Sequence, residues 1–240
     1  MADHVRKDET LDVLCNEKVL VIQKKKGYRF SMDPLLLANF VRLKKHETLL
    51  DVGTGCGIIP IYMAKRGCGN RLVGIEIQDE LYDLALRNRD LNGCGNVEFF
   101  KGDVKNSGRG LGSFHAVVSN PPYVKEKTGR RSPGPSRLIA RHESELGLVQ
   151  LLSVASSLLE TRGRLYLIYP AKRLGEVVHE SKSRNLEPKR LRLVHSREGE
   201  PAKLLLLELL KGGGIDLKVE PPLYIYADGD YTEEVKAYYA

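Results

Sequence analysis

The sequence predicts an α/β protein built on a mostly parallel sheet of seven strands, with helices on both faces. Three observations carry that expectation. From Thr48 onward, apolar runs of strand length alternate with amphipathic helical stretches, which implies parallel strands joined by crossover helices. The run Leu49-Leu50-Asp51-Val52 leads into Gly53-Thr54-Gly55-Cys56-Gly57, which reads as a buried strand, a tight turn and a helix start. Asn120-Pro121-Pro122-Tyr123 follows the apolar run Phe114–Ser119, so a second stiff turn stands at another strand end. Ligands of such sheets bind beyond the carboxyl ends of the strands, where both turns fall.

The elements follow in order. Leu11–Asn16 reads as a short lead-in. Lys18–Gln23 and Tyr28–Phe30, on either side of Lys24-Lys25-Lys26-Gly27, read as a small N-terminal hairpin with a basic tip. Ser31-Met32-Asp33-Pro34 opens a helix with Pro34 in its first turn, and Asp33 fits the cap of that helix. Strands are expected over 48–52, 71–76, 96–100, 114–119, 163–169, 189–195 and 203–210. Helices are expected near 57–66, 79–92, 144–161 and 171–184. In the third of these, Leu148, Leu151, Leu152, Ala155, Leu158 and Leu159 form a stripe that would face a sheet. This divides the chain into an N-terminal segment (1–47), a main domain (48–211) and a C-terminal tail (212–240). The tail starts at Gly212-Gly213-Gly214 and ends acidic and tyrosine-rich.

Composition narrows the class. A chain of 240 residues with 42% hydrophobic and 29% charged residues can bury a full core. No apolar run approaches the ~18 residues of a membrane span. The start, Met1–Lys7, is charged where a signal core would be apolar, so a cytoplasmic protein is expected. The cysteines, Cys15, Cys56, Cys68 and Cys94, form no C-x-x-C pair and have no histidine at zinc spacing, so no metal site is expected. Net charge is +7, with six acidic residues against two lysines after Gly212, so the rest of the chain carries +11. Such a body favours polyanions.

Two ligand classes suit the glycine turn. The dinucleotide fingerprint wants a third glycine where this chain has Ile58, and Asp51 sits poorly beside a pyrophosphate. Asp51 suits a ligand with positive charge, such as the ammonium of a methionine moiety. Glu76 ends the next apolar run, Arg71–Glu76, where a carboxylate can accept hydrogen bonds from both hydroxyls of a ribose. With Gly53, Thr54, Gly55 and Gly57 between them, this pattern resembles that of class I, Rossmann-like methyltransferases that use S-adenosylmethionine.

The Asn120–Tyr123 tetrapeptide suits a planar amine acceptor. The amine of adenine is a poor nucleophile because its lone pair is delocalised into the ring. The Asn120 side-chain oxygen and the Pro121 carbonyl can each accept one of its N–H groups, drawing the nitrogen toward a tetrahedral shape. Pro121 and Pro122 stiffen the backbone so that the acceptors are set beforehand. Tyr123 offers a ring on which a base can stack, a contact of about 1–3 kcal/mol. Beyond it, residues 124–143 show no helical or strand period and carry Lys125, Lys127, Arg130, Arg131, Arg137 and Arg141. A solvated basic loop is the ordinary reading of such a run. Its attachment to the tetrapeptide points to a grip on a phosphate backbone.

The combination resembles one family. Phe30–Leu37, Asp51–Gly57, Asn120–Tyr123 and Ala140-Arg141-His142-Glu143 together look like the bacterial tRNA adenine-N6 methyltransferases, over roughly residues 18–210. The resemblance implies S-adenosyl-L-methionine as methyl donor, S-adenosyl-L-homocysteine as product, and an adenine amine of RNA, a tRNA first of all, as acceptor. It also implies that the N-terminal hairpin and the Asp33 region close over the cofactor. Asp103, after the third strand, would lie near the cofactor's adenine; a solvated loop aspartate is the alternative. Three other readings stay open: a protein-glutamine N5-methyltransferase, an rRNA guanine-N2 methyltransferase, and a non-catalytic RNA-binding protein on a cofactor fold. A monomer and a homodimer both fit the sequence, and no membrane partner is expected.

Overall fold

The computed structural model describes residues 5–14, 19–26, 31–121 and 147–239. The first element pair is a two-stranded antiparallel sheet, β1 (Glu9–Leu14) and β2 (Val19–Lys24), with Glu9 opposite Lys24 and Leu14 opposite Val19. The hairpin is there, but its first strand is the stretch expected as a lead-in. The expected partner, Tyr28–Phe30, lies outside the described residues.

Then come α1 (Asp33–Phe40), β3 (Thr48–Val52), α2 (Ile58–Lys65), β4 (Arg71–Glu76), α3 (Asp79–Asn92), β5 (Val97–Lys101) and the single turn α4 (Val104–Ser107). They are followed by β6 (Phe114–Ser119), α5 (Leu148–Leu158), β7 (Leu159–Pro170), α6 (Leu174–Lys182), β8 (Leu186–His195) and β9 (Ala202–Lys211). The helix expected over 144–161 stops at Leu158, because Leu159 already pairs beside Phe114 in the sheet. Arg162, with φ of 66°, and Gly163 then turn the chain into the long part of β7.

The seven long strands lie in the order β5-β4-β3-β6-β7-β9-β8. All neighbours are parallel except β9, which runs antiparallel to both β7 and β8. The chain works outward from β3 to β5 and then returns to the other side of β3 with β6. The β3–β6 gap is therefore the topological switch point, where the ends of two neighbouring strands open a crevice.

Side chains alternate across the sheet. Leu49, Val118, Tyr166 and Ile168 pack with α1, α2, α3 and β2 on one face. Leu50, Val117, Leu165 and Leu167 pack with α4, α5 and α6 on the other.

Residues 212–240, expected as a C-terminal tail, add short strands β10 (Lys218–Val219) and β11 (Leu223–Tyr224), both parallel to β8. A small hairpin, β12 (Tyr226–Ala227) with β13 (Asp230–Tyr231), and helix α7 (Glu233–Tyr238) complete the segment. Leu223, Ile225 and Val235 are buried in the first core. The Tyr62 hydroxyl on α2 donates to the Tyr238 carbonyl at 3.1 Å. No helix among the described residues is long and apolar enough to cross a membrane.

Candidate active site

The glycine turn is assembled by hydrogen bonds that converge from two strands. The Gly53 and Thr54 N–H groups both donate to the Ile75 carbonyl on β4, at 3.0 and 3.1 Å. The Gly57 N–H donates to the Thr54 carbonyl at 3.0 Å, closing the turn before α2 begins. Gly53, Gly55 and Gly57 have φ of 74°, 59° and 82°, a region that side-chain-bearing residues adopt only with strain. A methyl at Gly57 would also overlap the Phe99 ring, which lies against Gly74 as well.

Asp51 and Glu76 sit on either side of this turn, and both are buried. The Glu76 carboxylate accepts three backbone N–H groups: Gly55 at 2.9 Å on one oxygen, Ile77 at 3.0 Å and Gln78 at 2.9 Å on the other. Among the described residues, Asp51 accepts only the Thr54 hydroxyl, at 2.6 Å on Oδ2, and its buried Oδ1 has no hydrogen-bond partner. Burial pushes the Asp51 carboxyl up to about 7, the Thr54 hydroxyl opposes the shift, and the nearby Glu76 charge adds to it.

Across the switch point, β6 delivers Asn120. Asp51 and Val118 are register partners, and the Ser119 hydroxyl donates to the Val52 carbonyl at 2.8 Å. The two strand ends are thus tied together just before the chain enters Asn120-Pro121. Both of these residues are half-buried. Pro122, Tyr123, Lys125, Lys127, Arg130, Arg131, Arg137, Arg141 and His142 lie outside the described residues.

Asp33 opens α1 but does not cap it. The N-cap is Met32, which makes no side-chain cap bond, and the Asp33 N–H donates to the Ser31 hydroxyl at 3.3 Å. Burial raises the Asp33 carboxyl above its ordinary value, against a hydrogen bond from Ser31. Asp103 caps α4: its Oδ1 accepts the Lys105 N–H at 3.0 Å, and the Lys105 ammonium stands 3.1 Å from Oδ2. It therefore stands after β5 as expected, half-buried, with its carboxylate engaged at the start of α4.

Two polar residues of the site escape a reading of motifs, Ser119 and Asn88 of α3, both buried; Asn92, one helical turn after Asn88, is buried beside it but outside the site. The signal for Asn88 is two asparagines four apart, which share one helical face.

Arrangement and ancestry agree. A family model of the methyltransferase small domain matches residues 30–176. A protein of Photobacterium profundum named tRNA1(Val) (adenine(37)-N6)-methyltransferase is 27% identical over 213 residues, 87% of this chain and 88% of that one. A Porphyromonas gingivalis protein of the same name is 34% identical over 66% of this chain and 64% of its own. Among solved structures, a predicted O-methyltransferase from Agrobacterium tumefaciens superposes with a TM-score of 0.69 at 24% identity, covering 86% of this chain and 95% of that one. With a methyltransferase-type sheet, a glycine turn and an Asn-Pro strand end at its switch point, and a family match over more than half its length, the chain belongs to the methyltransferase small-domain family.

Proposed function

We propose that the protein methylates the exocyclic N6 amine of an adenine in RNA, with S-adenosylmethionine as donor and a tRNA as substrate. The observation that carries this is the switch point itself. It sets the Asp51–Gly57 turn and the Asn120-Pro121 acceptor pair on adjacent, hydrogen-bonded strand ends. The names of the relatives at 27% and 34% identity support the choice of tRNA.

The residues fit the donor. A buried carboxylate oxygen without a partner is costly unless a donor or cation reaches it. Asp51 Oδ1 would hold the ammonium of the methionine end. Gly53 leaves room for close approach to the backbone of the turn, and Glu76, although it already accepts three N–H groups, would recognise ribose hydroxyls. Asp33 would stand at the methionine end and Asp103 at the adenine end. S-adenosylmethionine, when bound, supplies an electrophilic methyl group on a sulfonium.

The chain's own contribution is to orient and localise. Asn120 Oδ1 and the Pro121 carbonyl accept the two N–H groups of the substrate amine and concentrate its lone pair on nitrogen. Pro122 keeps that backbone stiff, and Tyr123 takes the flipped base on its ring face. The excess proton leaves after transfer, when the methylated amine is acidic, so no strong base is required. Lys125, Lys127, Arg130, Arg131, Arg137 and Arg141 bind phosphates of the RNA. A tRNA substrate places the enzyme in the cytoplasm.

The test is to incubate the protein with methyl-labelled donor and, separately, total tRNA, rRNA and protein extract, then to digest the RNA to nucleosides. Label in N6-methyladenosine from tRNA is expected. Label in guanine, in rRNA or in protein overturns the substrate. Asn120→Ala should lower turnover at least about a hundredfold and leave cofactor affinity within about twofold, as loss of a preorganised acceptor does. Equal loss of both would remove Asn120 from the chemistry.

A further inference from the structure

Asn88 and Asn92 attach the N-terminal hairpin to the body of the protein. Asn92 Oδ1 accepts the Leu20 N–H at 2.9 Å, and its Nδ2 donates to the Leu20 carbonyl at 2.7 Å. One helical turn earlier, Asn88 Oδ1 accepts the Ile22 N–H at 2.7 Å, and its Nδ2 donates to the Ile22 carbonyl at 3.2 Å. The two carboxamides act as side-chain rungs along the edge of β2. They satisfy backbone groups that burial would otherwise leave unpaired.

The two asparagines differ in their remaining hydrogen. Asn92 donates it to the Asn88 carbonyl, inside its own helix, at 2.7 Å. Asn88 donates it to the Cys56 carbonyl, inside the glycine turn, at 3.0 Å. The orientation of this amide is dictated by its partners, because two carbonyls demand the NH2 end and the Ile22 N–H demands the oxygen. The Cys56–Gly57 peptide is thereby held at both poles, its carbonyl by Asn88 and its N–H by the Thr54 carbonyl at 3.0 Å.

We infer that Asn88 is a positioning residue for the methyl donor: its one carboxamide locks the glycine turn and couples it to the seating of the hairpin. The inference rests on reading Gly53–Gly57 as the cofactor seat. Without the Asn88 donor, the Cys56–Gly57 peptide keeps its N–H bond to Thr54 but loses the hold on its carbonyl, and the turn meets the cofactor in a less fixed shape. Asn92 provides the internal control. It makes the same bonds to β2 and reaches no residue of the turn.

The experiment compares Asn88→Leu, Asn88→Asp, Asn92→Leu and Asp51→Asn in the full chain. It measures melting temperature, calorimetric affinity for S-adenosylmethionine, and the split between KM for that cofactor and kcat. Asn88→Leu and Asn92→Leu should lower the melting temperature by similar amounts. Asn88→Leu should weaken cofactor affinity about tenfold or more, and Asn92→Leu should leave it within about twofold. Asn88→Asp keeps the volume and the acceptor for Ile22 while withdrawing donors, so it should weaken affinity too. It serves as the probe if Asn88→Leu does not fold. Equal cofactor affinity in the Asn88 and Asn92 variants overturns the inference. If Asp51→Asn weakens the cofactor and the Asn88 variants do not, only this inference fails. If neither weakens it, the assignment of the turn as the cofactor seat fails as well.

Discussion

The turns after β3 and β4 end on the same chemistry and arrive at opposite conditions. Asp51 and Glu76 are both carboxylates, both buried, at the ends of neighbouring parallel strands. Glu76 is filled from within by three backbone N–H groups. Among the described residues, Asp51 has one hydroxyl partner and one bare oxygen. A carboxylate satisfied by its own backbone holds a turn in place. A buried carboxylate left half-satisfied is unfavourable until something arrives to complete it. Partner count thus separates the acid that braces the turn, with acceptor capacity left for a ribose hydroxyl, from the acid that awaits a cation, although the strand pattern presents them alike.

The largest expected effect tests the frame that both acids share. Gly57→Ala puts a methyl into the Phe99 ring at a φ of 82°, and should destabilise the fold by about 3 kcal/mol or more in denaturant unfolding. A loss under about 1 kcal/mol would mean that the turn yields easily and holds neither acid in place.

Next comes the contrast itself. Glu76→Gln sets an amide NH2 against backbone N–H donors and should cost about 2 kcal/mol of stability, with or without cofactor. At pH about 5.5, where the folded protein keeps Asp51 protonated, Asp51→Asn should leave cofactor-free stability near wild type, while at pH about 8 it should lower cofactor affinity at least about tenfold. If the two substitutions gave the same profile, the distinction between the acids would be gone.

The distinction also has a pH signature. The Asp51 carboxyl, ordinarily at 3.8, is raised to about 7, so the folded, cofactor-free protein holds that proton more tightly than the unfolded chain. Its contribution to stability is complete below about 4 and is lost as pH rises through 7. Cofactor-free protein should therefore melt lower at pH about 8 than at about 5.5, and Asp51→Asn should flatten that difference. Cofactor affinity should run the other way, rising with pH as the carboxylate becomes ready for a cation. Glu9 is silent in this window, since the Arg87 guanidinium holds it down at about 2 and its contribution is lost only toward that acidity. The smallest effect is at the strand junction: Ser119→Ala, which removes the bond to Val52, should cost about 1 kcal/mol.

Much of the molecule was legible beforehand, for local reasons. The strands at 48–52, 71–76 and 114–119 were expected with the bounds they have, because their apolar runs end at glycine, acid or Asn-Pro punctuation. The hairpin expected on the side of Tyr28–Phe30, outside the described residues, is formed by β2 with the stretch before it. Lys18–Gln23 has candidate partners on both sides, and its seating is made by groups remote in sequence: Asn88, Asn92, and Arg87, whose guanidinium reaches buried Glu9 at 2.6 Å. The segment after Gly212 reads as a tail on composition. Its place is decided by apolar residues, Leu223, Ile225 and Val235, that find a face of the sheet.

The sequence by itself determined the fold class, the family, and which residue types stand at the strand ends, because those follow from periodicity and short-range chain geometry. Only the tertiary structure decided which of the two acids is left waiting and which asparagine reaches the glycine turn. Both outcomes depend on hydrogen bonds between residues some 20 to 70 positions apart, Gly55 with Glu76, Cys56 with Asn88, and Ile22 with Asn88. Such bonds are set by how helices and strands pack, and local propensity carries no record of them.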